Sequence, residues 1–509
     1  RKRNTESRKR KRNVCCFFIS GQQVCRATYL FLHGIGKDRY NSLSAHYSSH
    51  GLTTRTHGNK GRLPKNACSY EVVHHVSTFT ENYAEQHALV LPGRVPGFKR
   101  TDVRLLPSNM SKASVWRSYR TALKDKADIK PVGYSKFVDL WNQLTPHVLI
   151  MRPMSDLCFT CQHNNTQIIR SANLPENAKT ALVKTQEEHL FKATTERAFY
   201  RSSLKDVENA AKEILASNGG ILPKHNPPCS FNGKMHYSYD YAQQVHYPSN
   251  PLQPGPIYFK TPRKCAIFGV CCEAVPRQVN FLIDEAVLTG KGANGTISLV
   301  HYYFEKFGLG ETEVHLHADN CSGQNKNNYF LWYYAWRIIT DLHWEILYSF
   351  LPAGHTKFAP DWCFGLGKQA IRKTYISDLF ELASAIENSS VTGVNITQLC
   401  GLHDGQVIVK TYDWVKFLEH YFKKLPGIKG YHHFRFSKSS PGHVFCRRTF
   451  DSAEEEYNLL RNPENIPPRR VYPTVITPVG LDLDRKKYLF KEIRQFCKPE
   501  SADLVAPKP

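Results

Sequence analysis

The sequence predicts an α/β fold built on a mixed five-stranded sheet, with a mainly helical region before it and an α+β extension after it. Three observations carry this. Residues 233–375 switch between period-two and helical apolar patterns in the order β-β-β-α-β-α-β-α. The second and third strand-like runs are separated by only a few residues around Pro276, which makes them antiparallel neighbours. The later strands are each preceded by a helix, which makes them parallel additions by crossover.

The elements follow in order. The opening thirteen residues hold eight Lys/Arg against one Glu and read as a disordered basic tail with nuclear-localisation character. Net charge is +24, and +17 remains without that tail, so the whole chain favours a polyanionic partner, nucleic acid first. Residues 14–150 read as helical. Within them a short helix ending near Leu32, the turn Gly34-Ile35-Gly36 and a second helix from Lys37 make a helix-turn-helix-sized unit. Lys37 and Arg39 on that helix, and Lys60 and Arg62 in the basic loop after it, are candidate DNA contacts; a helical hairpin that binds nothing is the alternative. The basic helix around Trp116 is expected to turn its aromatics inward.

Residues 151–232 carry Cys158-x-x-Cys161 and a long helix over 175–216 containing His189. Cys158, Cys161 and His189 with a fourth ligand would make a structural Zn²⁺ site; two thiols in a core turn is the alternative. His163 and Cys229 are also close in sequence. The 15 Cys are odd in number and scattered, which fits a reducing compartment rather than a disulfide framework. The most apolar run, 328–351, is broken by Arg337, Asp341 and Glu345 and is not a membrane span.

In the 233–375 segment, strands are expected over KMHYSYDYAQQV, KCAIFGVCCEAV, QVNFLIDEAV, EVHLHAD and HWEILYSFL. Helices are expected over NGTISLVHYYFEKFG, capped by Asn294 or Thr296, over 325–341, and after Pro360. This order matches a ribonuclease H-like core. In that fold metal-binding carboxylates stand on the first strand, at the end of the fourth and on the helix after the fifth. Here those are Asp240, Asp319 and Asp361. Two-metal phosphoryl transfer needs such oxygen ligands for two Mg²⁺ or Mn²⁺. His355 is a candidate proton shuttle or phosphate contact, and Lys326 a candidate phosphate contact; loop hydrogen bonding and helix capping are their alternatives. A rival reading takes His315, His317 and Asp319, which alternate along one strand face, as ligands of a zinc-dependent hydrolase.

The motif D-N-C-x-G-Q-N-K-N (Asp319, Asn320, Cys321, Gly323, Gln324, Asn325, Lys326, Asn327) resembles that of a transposase-derived family. So do G-H-T-x(4)-D (Gly354, His355, Thr356, Asp361), D-x-C-x-x-C (Asp156, Cys158, Cys161), H-L-x-K-A at His189, the V-C-x(5)-F…G-I-G opening and the H-G-N-x-G loop at His57. The resemblance spans about residues 20–375. It implies a transposase or integrase core of the Asp-Asp-Asp/Glu type, with Asp361 as third acid. The GLGKQ that follows Asp361 has no nearby carboxylate, unlike what a later third ligand would require.

Residues 376–509 read as a basic extension: a helix at ISDLFELASAIENS, a strand at GQVIVKTYDW, a helix at VKFLEHYFKK, a basic hairpin around His432, His433 and Arg435, and a linker at NPENIPPRRVYP. The expected function is metal-dependent DNA cleavage and strand transfer in the nucleus, with DNA as partner, a homo-oligomer as assembly and no membrane. The alternative is a domesticated, catalytically inactive nucleic-acid-binding protein.

Overall fold

The computed structural model describes residues 15–58, 60–61, 67–88, 103–124, 130–152, 157–217, 225–468 and 471–509. The basic tail 1–13, Arg62 and Asp156 lie outside the described residues. The chain divides into two compact units, Arg1–His75 and Val76–Pro509.

In the first unit a hairpin, Phe17–Ile19 with Gln22–Val24, precedes two helices, Arg26–Leu32 and Lys37–His50. Gly34, at φ +60°, makes the turn that joins them. Phe17 packs on Tyr29 and Tyr40 at 5.0 and 5.6 Å between ring centroids. The helix pair is as expected; the hairpin is not, because three-residue strands carry too little periodicity to read. Lys37, Arg39 and Lys60 are exposed.

The second unit opens with helices whose aromatics stack inward. Phe79, Tyr119, Phe137 and Trp141 form a chain with centroid separations of 5.4, 5.1 and 5.8 Å. Helix α1 (Phe159–Arg170) and the long α2 (Glu176–Ser217) follow.

The sheet comprises β1 (Phe231–Tyr247), β2 (Arg263–Cys272), β3 (Arg277–Asp284), β4 (Glu311–Ala318), β5 (Glu345–Phe350), β6 (Asn395–Leu399), β7 (His433–Ser437), β8 (His443–Arg447) and β9 (Glu455–Asn458). Their spatial order is β6-β3-β2-β1-β4-β5-β7-β8-β9. β1, β2 and β3 are antiparallel neighbours, and β4 and β5 add in parallel beside β1. Helices α3 (Ala293–Phe307) and α4 (Asn328–Ile339) are the crossovers, and α5 (Ala359–Lys373) follows β5. The predicted element order therefore stands. The sheet is wider than five strands: β6 joins β3 in parallel, and β7, β8 and β9 extend the β5 edge in antiparallel fashion. Residues beyond 375 thus complete the sheet. The expected strand at GQVIVKTYDW shrinks to Thr411–Tyr412, while NITQL supplies β6. The cap of α3 is Gly292, not Asn294 or Thr296, and Asn327 caps α4 by accepting from the Phe330 backbone N–H.

The sheet has two different faces. On one, Tyr237 and Tyr239 of β1 meet Tyr303 and Phe330 of α3 and α4, at 5.5 and 5.9 Å between centroids. Trp332, Trp336 and Trp414 are almost wholly buried on that side. Each such ring gains about 2–3 kcal/mol from leaving water, which makes this face the core. On the other face α2 lays Phe199 and Tyr200 over histidines of the sheet. α5 packs there too: a Cβ on Gly269 of β2 would meet the Phe364 ring at 2.7 Å. Among the described residues no helix is long and apolar enough to cross a membrane.

Candidate metal centre and acidic site

Two groups of side chains meet where the loop after β5 leads into α5. The first is Cys158, Cys161, His189 and His355. One ligand atom from each lies within 4.8 Å of all the others. Cys158 Sγ is 3.3 Å from His189 Nε2, Cys161 Sγ is 3.5 Å from His355 Nε2, and the two Nε2 atoms are 3.1 Å apart. A tetrahedral ion with ordinary Zn–S and Zn–N bonds gives edges of about 3.5 Å for S–N and about 3.3 Å for N–N. The group fits. Local geometry explains each ligand. Cys158 caps α1 and Cys161 sits one turn in, so the Cys-x-x-Cys spacing brings both thiols to the helix start. His189 projects from α2. His355 reaches in from a loop bent at Gly354, φ +78°, where a Cβ would lie 2.5 Å from Cys158 Cα. Only glycine permits that approach.

The electrostatics suit a cation. Burial, then the neighbouring Cys158, pushes the Cys161 thiol up to about 12. Burial, then His189 and Arg197, pushes His355 down to about 4, and burial and Lys192 lower His189. Neutral imidazoles are what a metal takes, and an ion would relieve the crowding of two thiolates. His355 thus stands where the fourth position of the group was left open by the sequence. No spacing in the sequence points to it: 194 residues separate it from Cys161. Cys229 instead donates to the Asp341 carbonyl, and exposed His163 lies outside the group.

The second group is acidic. β1 and β4 pair in parallel up to Tyr239↔Ala318, so Asp240 and Asp319 are the next residues on adjacent strands. They extend the rows His236–Ser238 and His315–His317 on the face that α2 and α5 cover. Asp361 sits in the first turn of α5. Each acid has its own donors: Asp319 Oδ1 accepts from Asn325 Nδ2 and from the Cys321 backbone N–H at 3.2 Å. Asp361 Oδ2 accepts from the Phe358 N–H at 3.1 Å, and Asp240 Oδ1 from the Tyr241 N–H at 2.7 Å. The three acids are not among the described groups whose ligand atoms lie within 4.8 Å of one another. Asn325, wholly buried, leaves its Oδ1 without a hydrogen-bond partner beside Asp319, an oxygen donor of the kind Mg²⁺ or Mn²⁺ takes.

Arg197 and Lys192 were not legible as functional, whereas Lys326 is the candidate phosphate contact of the sequence. Arg197 of α2 donates to the carbonyls of His355, at 2.5 Å, and of Lys357, and so ties the ligand loop to the helix that carries His189. Lys326 is buried, and its ammonium donates to Asn320 Oδ1 (3.2 Å) and the Lys429 carbonyl (3.4 Å) and lies 5.2 Å from the centre of the Phe350 ring. Lys192 stands 3.5 Å from His432 Nε2, and burial, then Lys192, lowers Lys326 to about 8. The rival pairing of His315 and His317 with Asp319 is not the group that converges; their third member is His236.

A family model described as a domain of unknown function (DUF7869) matches residues 262–452. That stretch runs from β2 to the residues after β8 and holds Asp319, His355 and Asp361, while Asp240, Cys158, Cys161 and His189 precede it. No curated protein matches the chain.

Proposed function

We propose that the chain is a ribonuclease H-like, transposase-derived protein that cuts or joins DNA strands, with Asp240, Asp319 and Asp361 as its acidic site and a structural zinc held by Cys158, Cys161, His189 and His355. The observation that carries this is the strand arrangement β3-β2-β1-β4-β5, with Asp240 and Asp319 on adjacent parallel strands and Asp361 on the helix after β5. Bound Mg²⁺ or Mn²⁺ would supply activation of a water or 3′-hydroxyl and stabilisation of the leaving oxygen. The protein's part is positional. Asn325 orients Asp319, and the zinc group with Arg197 fixes the loop that delivers Asp361. Lys326 and Lys192, with the neutral His432 beside them, form a cationic patch with no carboxylate among its contacts in the described residues, suited to the sugar-phosphate backbone of the bound strand. The basic tail 1–13 is read as a nuclear address, and Lys37, Arg39, Lys60 and Arg62 as further DNA contacts.

A second reading, nucleic-acid binding without catalysis, has one observation in its favour. The Asp319 and Asp361 carboxylates are each engaged by donors of their own turn or loop. Nicking and strand transfer by purified protein in Mg²⁺ or Mn²⁺, wild type against Asp319→Asn, separates the two. Metal-dependent cleavage lost in the variant supports the first. DNA binding with no cleavage in either protein supports the second.

A further inference from the structure

We propose that His236, His315 and His317 form a second, all-histidine zinc site, buried between the sheet and α2. The three side chains come from neighbouring strands in register, His236 opposite His315 and Ser238 opposite His317. All three are essentially without solvent exposure, and one ring nitrogen from each lies within 4.8 Å of the other two. His236 Nε2 and His317 Nδ1 are 2.9 Å apart, within a few tenths of an ångström of the ~3.3 Å edge of a tetrahedral zinc with imidazole ligands.

The unpartnered atoms point the same way. His236 Nδ1, His315 Nδ1 and Glu273 Oε1 are buried and make no hydrogen bond. Each such orphan costs about 1–3 kcal/mol, and three in one layer is a large burden for a core. An ion held by His236 Nε2, His317 Nδ1 and His315 Nδ1 accounts for all three. It takes the His315 orphan directly. It leaves His236 Nδ1–H to donate toward Glu273 Oε1, now 3.9 Å away, in the carboxylate–histidine–metal relay common at zinc sites. His315 Nε2–H already has its outer partner, Ser349 Oγ at 2.8 Å. Ser349 continues to His433 Nδ1 at 2.9 Å, and His433 Nε2 to Glu196 Oε2 at 2.9 Å. Glu273 thus stands one imidazole away and Glu196 two imidazoles and a hydroxyl away, both with buried side chains, and two carboxylates balance a divalent charge in a site that water does not reach. Three neutral nitrogens and no thiolate among the ligands suit a borderline metal such as zinc, not Mg²⁺. Placed four residues behind Asp240 on β1 and two behind Asp319 on β4, the ion would pin these two strands to each other directly beneath the acidic pair.

The inference stands apart from the nuclease reading, because its test measures metal and not activity. Zinc per chain is determined on the full-length protein for wild type, His315→Asn, Cys158→Ser and Asp319→Asn. His315→Asn is expected to lose one zinc, Cys158→Ser a different one, and Asp319→Asn none. A folded His315→Asn protein with wild-type zinc content overturns the proposal. So does loss of that zinc in Asp319→Asn, which would place it on the carboxylates. Should His315→Asn fail to fold, X-ray absorption at the zinc edge of the whole chain with Cys15, Cys16, Cys25 and Cys68 changed to Ser decides. About one sulfur and two to three imidazoles per zinc, averaged over a Cys₂His₂ and a His₃ site, is the expected shell. Two sulfurs and two imidazoles per zinc would leave only the first site and overturn the second.

Discussion

The thiol–imidazole group and the acidic group each take one residue, His355 and Asp361, from the stretch 354–361, yet of the two only the first converges among the described residues. Physical chemistry explains the difference. Thiols and neutral imidazoles can approach one another through S–H and N–H contacts, here at 3.1–3.5 Å, without like-charge repulsion. Carboxylates repel, and each is instead quieted by local donors: Asn325 and a backbone N–H at Asp319, the Phe358 N–H at Asp361. In the proposed reading the first group is a structural brace, and the second would need a cation to draw it together in competition with those donors.

The largest expected effect follows from the brace. Structural zinc contributes on the order of 10 kcal/mol in small domains. An ion held here would tie α1, α2 and the loop before α5, so Cys161→Ser or a strong zinc chelator should cost about 5 kcal/mol or more and lower the melting temperature sharply. Calorimetric or circular-dichroism melts with and without chelator check this. Melting that ignores both treatments would reduce the group to two thiols and two histidines in a polar core. Next in size is Asp319→Asn. Cleavage should fall about 10²–10³-fold, as for loss of one electrostatic group at a reacting centre, with zinc content and melting unchanged. A matching loss of zinc would mean that the two groups are not separable.

Much of this frame was readable in the sequence, and the reasons for success and failure are local. Strands β1 to β5 were legible because their apolar runs are long and end in polar turns, and Asp319 because it closes one of them. β6 was not: NITQL is five residues with three polar members, and its place in the sheet depends on pairing with β3, to which it is tied at Asn280–Asn395, 115 residues apart. Cys158-x-x-Cys161 and His189 were legible as a partial site through helix spacing. His355 was visible only as part of a loop motif, since a ligand 166 residues from His189 leaves no periodic trace. His236 fell inside a strand read for its apolar alternation, and its partnership with His315 is a matter of register, which sequence does not fix.

A smaller effect tests how the loop couples the two groups. Gly354 holds φ +78° and lies against the Cys158 backbone, so Gly354→Ala meets both a left-handed penalty of about 1–2 kcal/mol and a clash. No ligand is removed. Weaker zinc retention in competition with a chromophoric chelator, together with reduced cleavage, is expected, since His355 and Asp361 ride on the same loop. Unchanged zinc retention with lost cleavage would show that the acidic site senses the loop independently of the metal.

The smallest effect concerns the cationic patch. The buried ammonium of Lys326 has a proton affinity lowered to about 8 by burial and then by Lys192. It is charged at neutral pH and loses its proton as pH rises through that value. His432, lowered to about 4 by burial, then Lys326 and Lys192, stays neutral throughout and adds no charge of its own. Affinity for a short duplex at fixed salt should therefore fall a few-fold between pH 7 and pH 9, as for the loss of one phosphate contact. Lys326→Arg keeps its charge over this range, so its affinity should be flat, and Lys326→Met should be flat at the lower level. Fluorescence anisotropy read at constant ionic strength distinguishes these. A pH slope that survives in Lys326→Met would move the contact to another group and leave the carboxylates, not the lysine, as the part of the 319–327 turn that meets the strand.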